Sequence, residues 1–207
     1  MKGLYAITDP ALTPGQQLFE AVEAALRGGC RIVQYRDKLH LAGDQLQIAH
    51  ALRRLCADYG ALFIVNDDIT LTRAVQADGV HLGKDDAAID EARFYLGRQT
   101  IIGVSCYNSL QRAQEMARAG ADYVAFGRLF PSRTKPHAQP ASLHTLRQAK
   151  QQLQIPIVAI GGITLENADQ VIEAGADMLA VIHGLFGQTD IEQTASKFNQ
   201  LFQPDKS

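Results

Sequence analysis

The sequence has no tryptophan, only three cysteines and few aromatic side chains among its 207 residues. Cys30, Cys56 and Cys106 are scattered, odd in number and without Cys-x-x-Cys spacing. That excludes a disulfide framework and a cysteine-based metal pattern. It fits a reducing compartment, the cytoplasm, with each thiol a small buried hydrophobe. Neither sign of charge is in excess, and the net charge of -2 argues against a general polyanion-binding surface, so nucleic acid is not an expected partner. Any anion site must be local. No apolar run approaches the roughly 20 residues that span a bilayer, so no membrane partner is expected either. The apolar run in residues 1–10 ends at Asp9-Pro10, too early for a signal peptide, and reads as a first strand. No linker, low-complexity segment or charge run interrupts the chain, so residues 1–207 read as one domain with a frayed polar tail at 203–207.

What is present is a regular alternation. Short β-rich apolar runs fall at 4–8, 32–36, 62–66, 79–82, 101–105, 123–127, 157–160 and 178–182. Amphipathic helical patterns lie between and after them, around 14–28, 43–59, 68–76, 86–96, 108–119, 141–153, 165–174 and 190–203. Eight strand signals, each followed by a helix signal, predict a single parallel (β/α)8 barrel of the TIM type rather than an open doubly wound sheet. The chain is near the lower size limit for that fold, so its loops must be short. A small phrase recurs at Arg27-Gly28-Gly29-Cys30, Ala119-Gly120-Ala121-Asp122 and Ala174-Gly175-Ala176-Asp177, and more weakly at Gln76-Ala77-Asp78-Gly79. It reads as a helix end, a left-handed glycine cap and entry into the next strand. These turns belong to the N-terminal face of a barrel, where residues serve stability.

Function in such a barrel sits at the C-terminal ends of the strands. Gln34, Arg36 and Lys38 alternate there, which a strand would point to one side. Two inward cations suit a di- or polyphosphate; the plainer reading pairs them with Asp37 or Asp67. Asp67, Asp68, Asp85 and Asp86 crowd neighbouring strand ends, where like charges call for a cation. Mg²⁺ suits one or two carboxylates with phosphate oxygens. The same acids suit helix N-caps, so one of each pair is expected to cap and the other to bind metal. Gly161-Gly162 after the seventh strand lets backbone amides approach a phosphate, together with the amides of Ile182 and His183 after the eighth. The polar stretch Ser132-Arg133-Thr134-Lys135 adds hydroxyls and a cation between the two anion sites and suits a lid. His40, His50, His137 and His144 read as solvent-facing, and His81 as a satisfied interior group rather than a catalyst. No Ser/His/Asp grouping stands out.

Taken together, QYRDK at 34–38, VNDD at 65–68, GVHLGKDD at 79–86, GVSCYNS at 103–109, AFGRLFPSRTKP at 125–136, VAIGGI at 158–163 and AVIHG at 180–184 resemble thiamine-phosphate synthases. The resemblance covers nearly the whole chain in order. It implies a TIM barrel that joins an aminopyrimidine methyl diphosphate to a thiazole phosphate, releasing diphosphate, and CO₂ when the thiazole carries a carboxylate. It implies that Gln34, Arg36, Lys38, Asn66, Ser105 and Lys135 hold the pyrimidine diphosphate, with Arg36, Lys38 and Lys135 stabilising the leaving group. Asp67 and Asp86 would bind Mg²⁺. Ser132, Arg133 and Thr134 would line the thiazole side, and Gly162, Ile182 and His183 would bind its phosphate. Many members carry Ser where this chain has His183, and His near Tyr107. The partners implied are small phosphorylated substrates, and a homo-oligomer is compatible with the sequence. Two rivals are a thiazole tautomerase on a similar barrel and a non-catalytic phosphate-binding paralogue. The first tends to lack the diphosphate and metal residues kept here, and the intact charged clusters speak against the second.

Overall fold

The computed structural model describes residues 1–86, 88–131 and 140–203. Eight strands, β1 (Gly3–Ile7), β2 (Ile32–Tyr35), β3 (Leu62–Asn66), β4 (Gly79–Leu82), β5 (Ile101–Tyr107), β6 (Tyr123–Phe126), β7 (Ile157–Ile160) and β8 (Met178–Val181), close into a barrel. Every pairing is parallel and β1 pairs with β8. The helices are α1 (Gln17–Arg27), α2 (Ala42–Asp58), α3 (Ile69–Ala74), α4 (Ile89–Leu96), α5 (Leu110–Arg118), α6 (Leu143–Gln152), α7 (Ala168–Glu173), α8 (His183–Phe186) and α9 (Ile191–Gln200). The single parallel (β/α)8 barrel read from the sequence is the architecture observed. The short helix α8 was not foreseen, because four residues carry no periodicity to detect.

Alternation along each strand makes two cores. Leu4, Ala6, Val33, Phe63, Val65, Val124, Leu179 and Val181 point outward and meet the helices. Tyr5, Ile7, Ile32, Ile64, Tyr123, Ala125, Val158, Met178 and Ala180 point inward and fill the barrel. One inward position is emptied for a large neighbour: a Cβ on Gly103 would lie 1.9 Å from the Tyr123 ring. The three cysteines are buried and free, and burial pushes Cys30 up to about 11 and Cys56 and Cys106 up to about 12, so they act as small apolar fillers.

The recurring phrase has a structural meaning that goes beyond the glycine. Gly29, Gly120 and Gly175 do take positive φ, of 94°, 97° and 107°. In the weaker copy Gln76 takes that place at 52°. The aspartate of the phrase then staples the floor of the barrel. Asp78, Asp122 and Asp177 accept the backbone N–H of Phe63, Ile102 and Ile157 at 2.7, 2.7 and 2.9 Å. Each donates its own N–H back to the carbonyl of that same residue. Each also takes a cation from a preceding helix: Arg53 of α2, Arg93 of α4 and Lys150 of α6, at 3.2, 2.5 and 2.6 Å. Before β2 the position is Arg31, which instead donates to Tyr59 O at 3.1 Å.

Candidate active site

The C-terminal mouth begins where β1 and β2 end. Strand pairing stops at Tyr35, so the alternation expected to carry Gln34, Arg36 and Lys38 to one side extends to neither Arg36 nor Lys38. Two side chains govern the turn. The buried Thr8 hydroxyl accepts from Arg36 N at 2.9 Å and donates to Arg36 O at 3.1 Å, clasping that residue to the end of β1. Asp37, its carboxylate 2% exposed, gathers the N–H groups of Leu39 and His40, the His40 ring and the Tyr35 hydroxyl. Burial opposes ionisation of Asp37, but those four donors outweigh it and hold its pKa below the usual carboxylate range.

With the loop turned this way, Lys38 reaches across to Asp67, Nζ to Oδ2 at 2.7 Å, and Asn66 Nδ2 donates to the same oxygen at 2.6 Å. The plainer of the two expectations for Lys38, an ion pair with Asp67, is thus present; Asp37 pairs with His40 instead. Asp67 holds a left-handed φ of 65°, a strained state for a non-glycine residue that turns it out of the strand line. Its carboxylate and that of Asp86 lie near enough to act on each other's ionisation. Burial works against ionisation at Asp67, yet Lys38 lowers it; at Asp86, burial and then the neighbouring Asp67 raise it. Two carboxylates this close favour a shared proton or a shared cation.

The capping expectation holds for one pair and fails for the other. Asp68 caps α3, accepting from Leu71 N at 2.8 Å, which leaves Asp67 for other work. Helix α4 starts after Ala88 with no side-chain cap, so neither Asp85 nor Asp86 caps it. Asp86 folds back to Gly83 N at 2.6 Å, and this keeps it beside Asp67. Among the described residues no three His, Cys, Asp or Glu side chains gather as a metal site. A carboxylate pair nevertheless fits Mg²⁺, which retains water and takes its other oxygens from phosphate.

Below the acids runs a chain of polar side chains that sequence reasoning missed. Gln34, 2% exposed, donates from Nε2 to Tyr5 Oη at 2.8 Å. Tyr5 Oη is 2.8 Å from Tyr123 Oη, which is 3.0 Å from His81 Nδ1. His81 Nε2 is 2.9 Å from Ser105 Oγ. The chain joins inward positions of β2, β1, β6, β4 and β5, so residues up to 118 apart in sequence become neighbours. His81 is the satisfied interior group that was expected. Tyr5 and Tyr123 carried one signal, a polar head on an inward-facing position, but periodicity ranks both with the core.

At the opposite side of the mouth, Gly161 and Gly162 take φ of 102° and 64°. A Cβ on Gly162 would lie 2.4 Å from Pro131 O, and one on Gly184 would lie 2.3 Å from Ile163 O. Glycine is therefore required for the β6, β7 and β8 end loops to close on one another. Ile182 leads into α8, and Gly184 in its first turn packs against Ile163, the residue after Gly162. The His183 ring lies against Gly187, where a Cβ would be 2.9 Å from Nε2. Ser132, Arg133, Thr134, Lys135 and the expected lid lie outside the described residues, as does His137.

A family profile described as thiamine monophosphate synthase matches residues 4–185. A thiamine-phosphate synthase from Alcanivorax borkumensis is 55% identical over 210 residues, covering 100% of this chain and 97% of that protein. One from Nitrosococcus oceani is 54% identical over 202 residues, covering 98% and 93%. Among solved structures, a thiamine phosphate pyrophosphorylase from Pyrococcus furiosus superposes with a TM-score of 0.88 at 38% identity, covering 97% of this chain and 95% of that one.

Proposed function

The chain belongs to the thiamine monophosphate synthase family, and from that premise we propose that its mouth is a two-pocket site for joining a pyrimidine diphosphate to a thiazole phosphate. The activity is that of a thiamine-phosphate synthase, a transferase acting on small phosphorylated substrates. The observation that carries the assignment of roles is the convergence of Lys38, Asn66, Asp67 and Asp86 at the ends of β2, β3 and β4. An ammonium and two crowded carboxylates suit a diphosphate with its Mg²⁺ better than either ligand alone.

In this reading Arg36, Lys38 and Lys135 neutralise the charge that grows on the diphosphate as its bond to the pyrimidine methylene breaks. Thr8 holds the Arg36 backbone in place, and Asp37 shapes the turn that presents Lys38. Gln34 and Ser105 face the pyrimidine ring from the barrel interior beneath the mouth, and Asn66 contacts its diphosphate. Asp67 and Asp86 would hold Mg²⁺, which when bound supplies further charge neutralisation to the leaving group. The electron-rich aminopyrimidine delocalises the cation left on its methylene. Capture by the thiazole nitrogen then needs proximity rather than a protein nucleophile. Gly162 and the amides of Ile182 and His183 would hold the thiazole phosphate across the mouth, with Ser132, Arg133 and Thr134 along its side. The three buried free thiols accord with work in a reducing cytoplasm.

The test is a product assay with both substrates while Mg²⁺ is titrated. Thiamine phosphate and diphosphate should appear together and only with the metal. Asp67→Ala should move the half-maximal Mg²⁺ concentration up by about tenfold or more, the scale of losing a charged ligand. An unchanged titration removes Asp67 from the metal role. Diphosphate release that ignores the thiazole phosphate would point away from a synthase.

A further inference from the structure

The polar chain in the barrel interior beneath the mouth has a direction, and the direction follows from counting protons. Gln34 Nε2 can only donate, so Tyr5 Oη accepts from it. The proton of Tyr5 then has one acceptor among its described partners, the oxygen of Tyr123. The opposite order would make Tyr5 accept twice and bury its own O–H with nothing to receive it, the more costly arrangement. Burial pushes both phenols well above their ordinary pKa, so both keep their protons. Tyr123, having accepted from Tyr5, passes its proton to the next partner, His81 Nδ1. A neutral imidazole that accepts at Nδ1 carries its proton on Nε2, and Nε2 faces Ser105 Oγ.

We propose that this polarised chain, Gln34 to Tyr5 to Tyr123 to His81 to Ser105, fixes the donor–acceptor pattern that the floor of the site presents to the pyrimidine half. At one end, Gln34 has given its N–H inward; its Oε1 accepts from no described residue and is left as an acceptor. At the other, Ser105 has accepted from His81, so its hydroxyl proton is turned outward as a donor. An aminopyrimidine carries both an N–H donor and ring-nitrogen acceptors, so it can meet one acceptor and one donor. Reversing the chain would exchange the two ends and change what each offers the ring. Tyr5, Tyr123 and His81 are positioning residues in this account, acting through the two ends; it rests on the reading of Gln34 and Ser105 as pyrimidine contacts.

The chain's direction can be read without any substrate. In the free protein at neutral pH, long-range ¹H–¹⁵N NMR of the histidine rings, with His81 assigned by loss of its signals in His81→Gln or by their displacement in Tyr123→Phe, should show the Nε2–H tautomer. An Nδ1–H tautomer or an imidazolium would overturn the polarity. Tyr123→Phe should then raise KM for the pyrimidine diphosphate roughly tenfold, the scale of one lost hydrogen bond. KM for the thiazole phosphate should stay as in the parent, and a thermal melt would confirm that the variant is folded. An unchanged pyrimidine KM would overturn the link to the substrate even if the tautomer is as expected. Failure of the parent protein to make thiamine phosphate would instead sink the functional reading and leave the tautomer result standing.

Discussion

The two ends of the barrel treat their acids in opposite ways. On the N-terminal face, Asp78, Asp122 and Asp177 each hold a backbone N–H and a helix cation. On the C-terminal face, Asp67 and Asp86 are driven into contact, with the single ammonium of Lys38 on one of them. Floor acids whose demands are met within the fold add to its stability. Mouth acids whose demands are only partly met suit the proposed Mg²⁺ site, in which phosphate would supply the remaining oxygens. The backbone tells the same story. Positive φ in the floor turns falls on glycine with Gln76 as the exception, whereas the mouth sets Asp67 and Tyr107, at 65° and 56°, beside Gly161 and Gly162. Strain in non-glycine residues collects where function is expected.

This contrast can be broken most visibly at Arg36. Arg36→Ala should lower turnover by about 100- to 1,000-fold, the scale of removing one group that stabilises a developing charge, with little change in melting temperature. Lys135→Ala should behave alike. Normal turnover in either would dissolve the functional reading of the mouth. A smaller effect, of opposite kind, is expected on the floor. Asp78→Ala removes a charged acceptor from Phe63 N and the partner of Arg53, so chemical denaturation should show a loss of about 2 kcal/mol. The KM values of the folded variant should remain those of the parent; a shift in them would mean the floor reaches the chemistry.

The smallest effect tests the loop between these extremes. Asp37 has its pKa lowered in the folded chain, so its contribution is complete above the ordinary carboxylate value of about 3.9 and is lost as pH falls below it. Denaturation midpoints should therefore drop more steeply in the parent than in Asp37→Asn as pH falls below about 4. Parallel curves would show that Asp37 is not held by its four donors.

Much of the floor was legible beforehand because it is local. A helix end, a turn and the start of the next strand lie within a few residues, and the phrase repeats, so the eye finds it. Strand and helix periodicity did the rest of the architecture, with strand ends off by a residue where pairing stops early, as at Tyr35. The mouth was legible in composition rather than in contact. Gln34, Lys38, Asn66, Asp67 and Asp86 were singled out by charge and position, yet which acid would cap a helix was right for Asp68 and wrong for the 85–86 pair. A cap depends on where the helix begins, and α4 begins after Ala88 while Asp86 turns back to Gly83.

By itself the sequence determined the parallel barrel, the end of it where chemistry belongs and the charged residues gathered there. Those follow from hydrophobic period and from residue type at strand ends, both properties of short windows. Only the tertiary structure decided that Lys38 would lie on Asp67, that Asp86 would meet Asp67, and that Tyr5 and Tyr123 would carry a hydrogen-bond chain from Gln34 to Ser105. These pairs come from different strands, and closing the barrel sets which inward side chains share a layer. Directional polar contacts depend on that closure, and no local pattern encodes it.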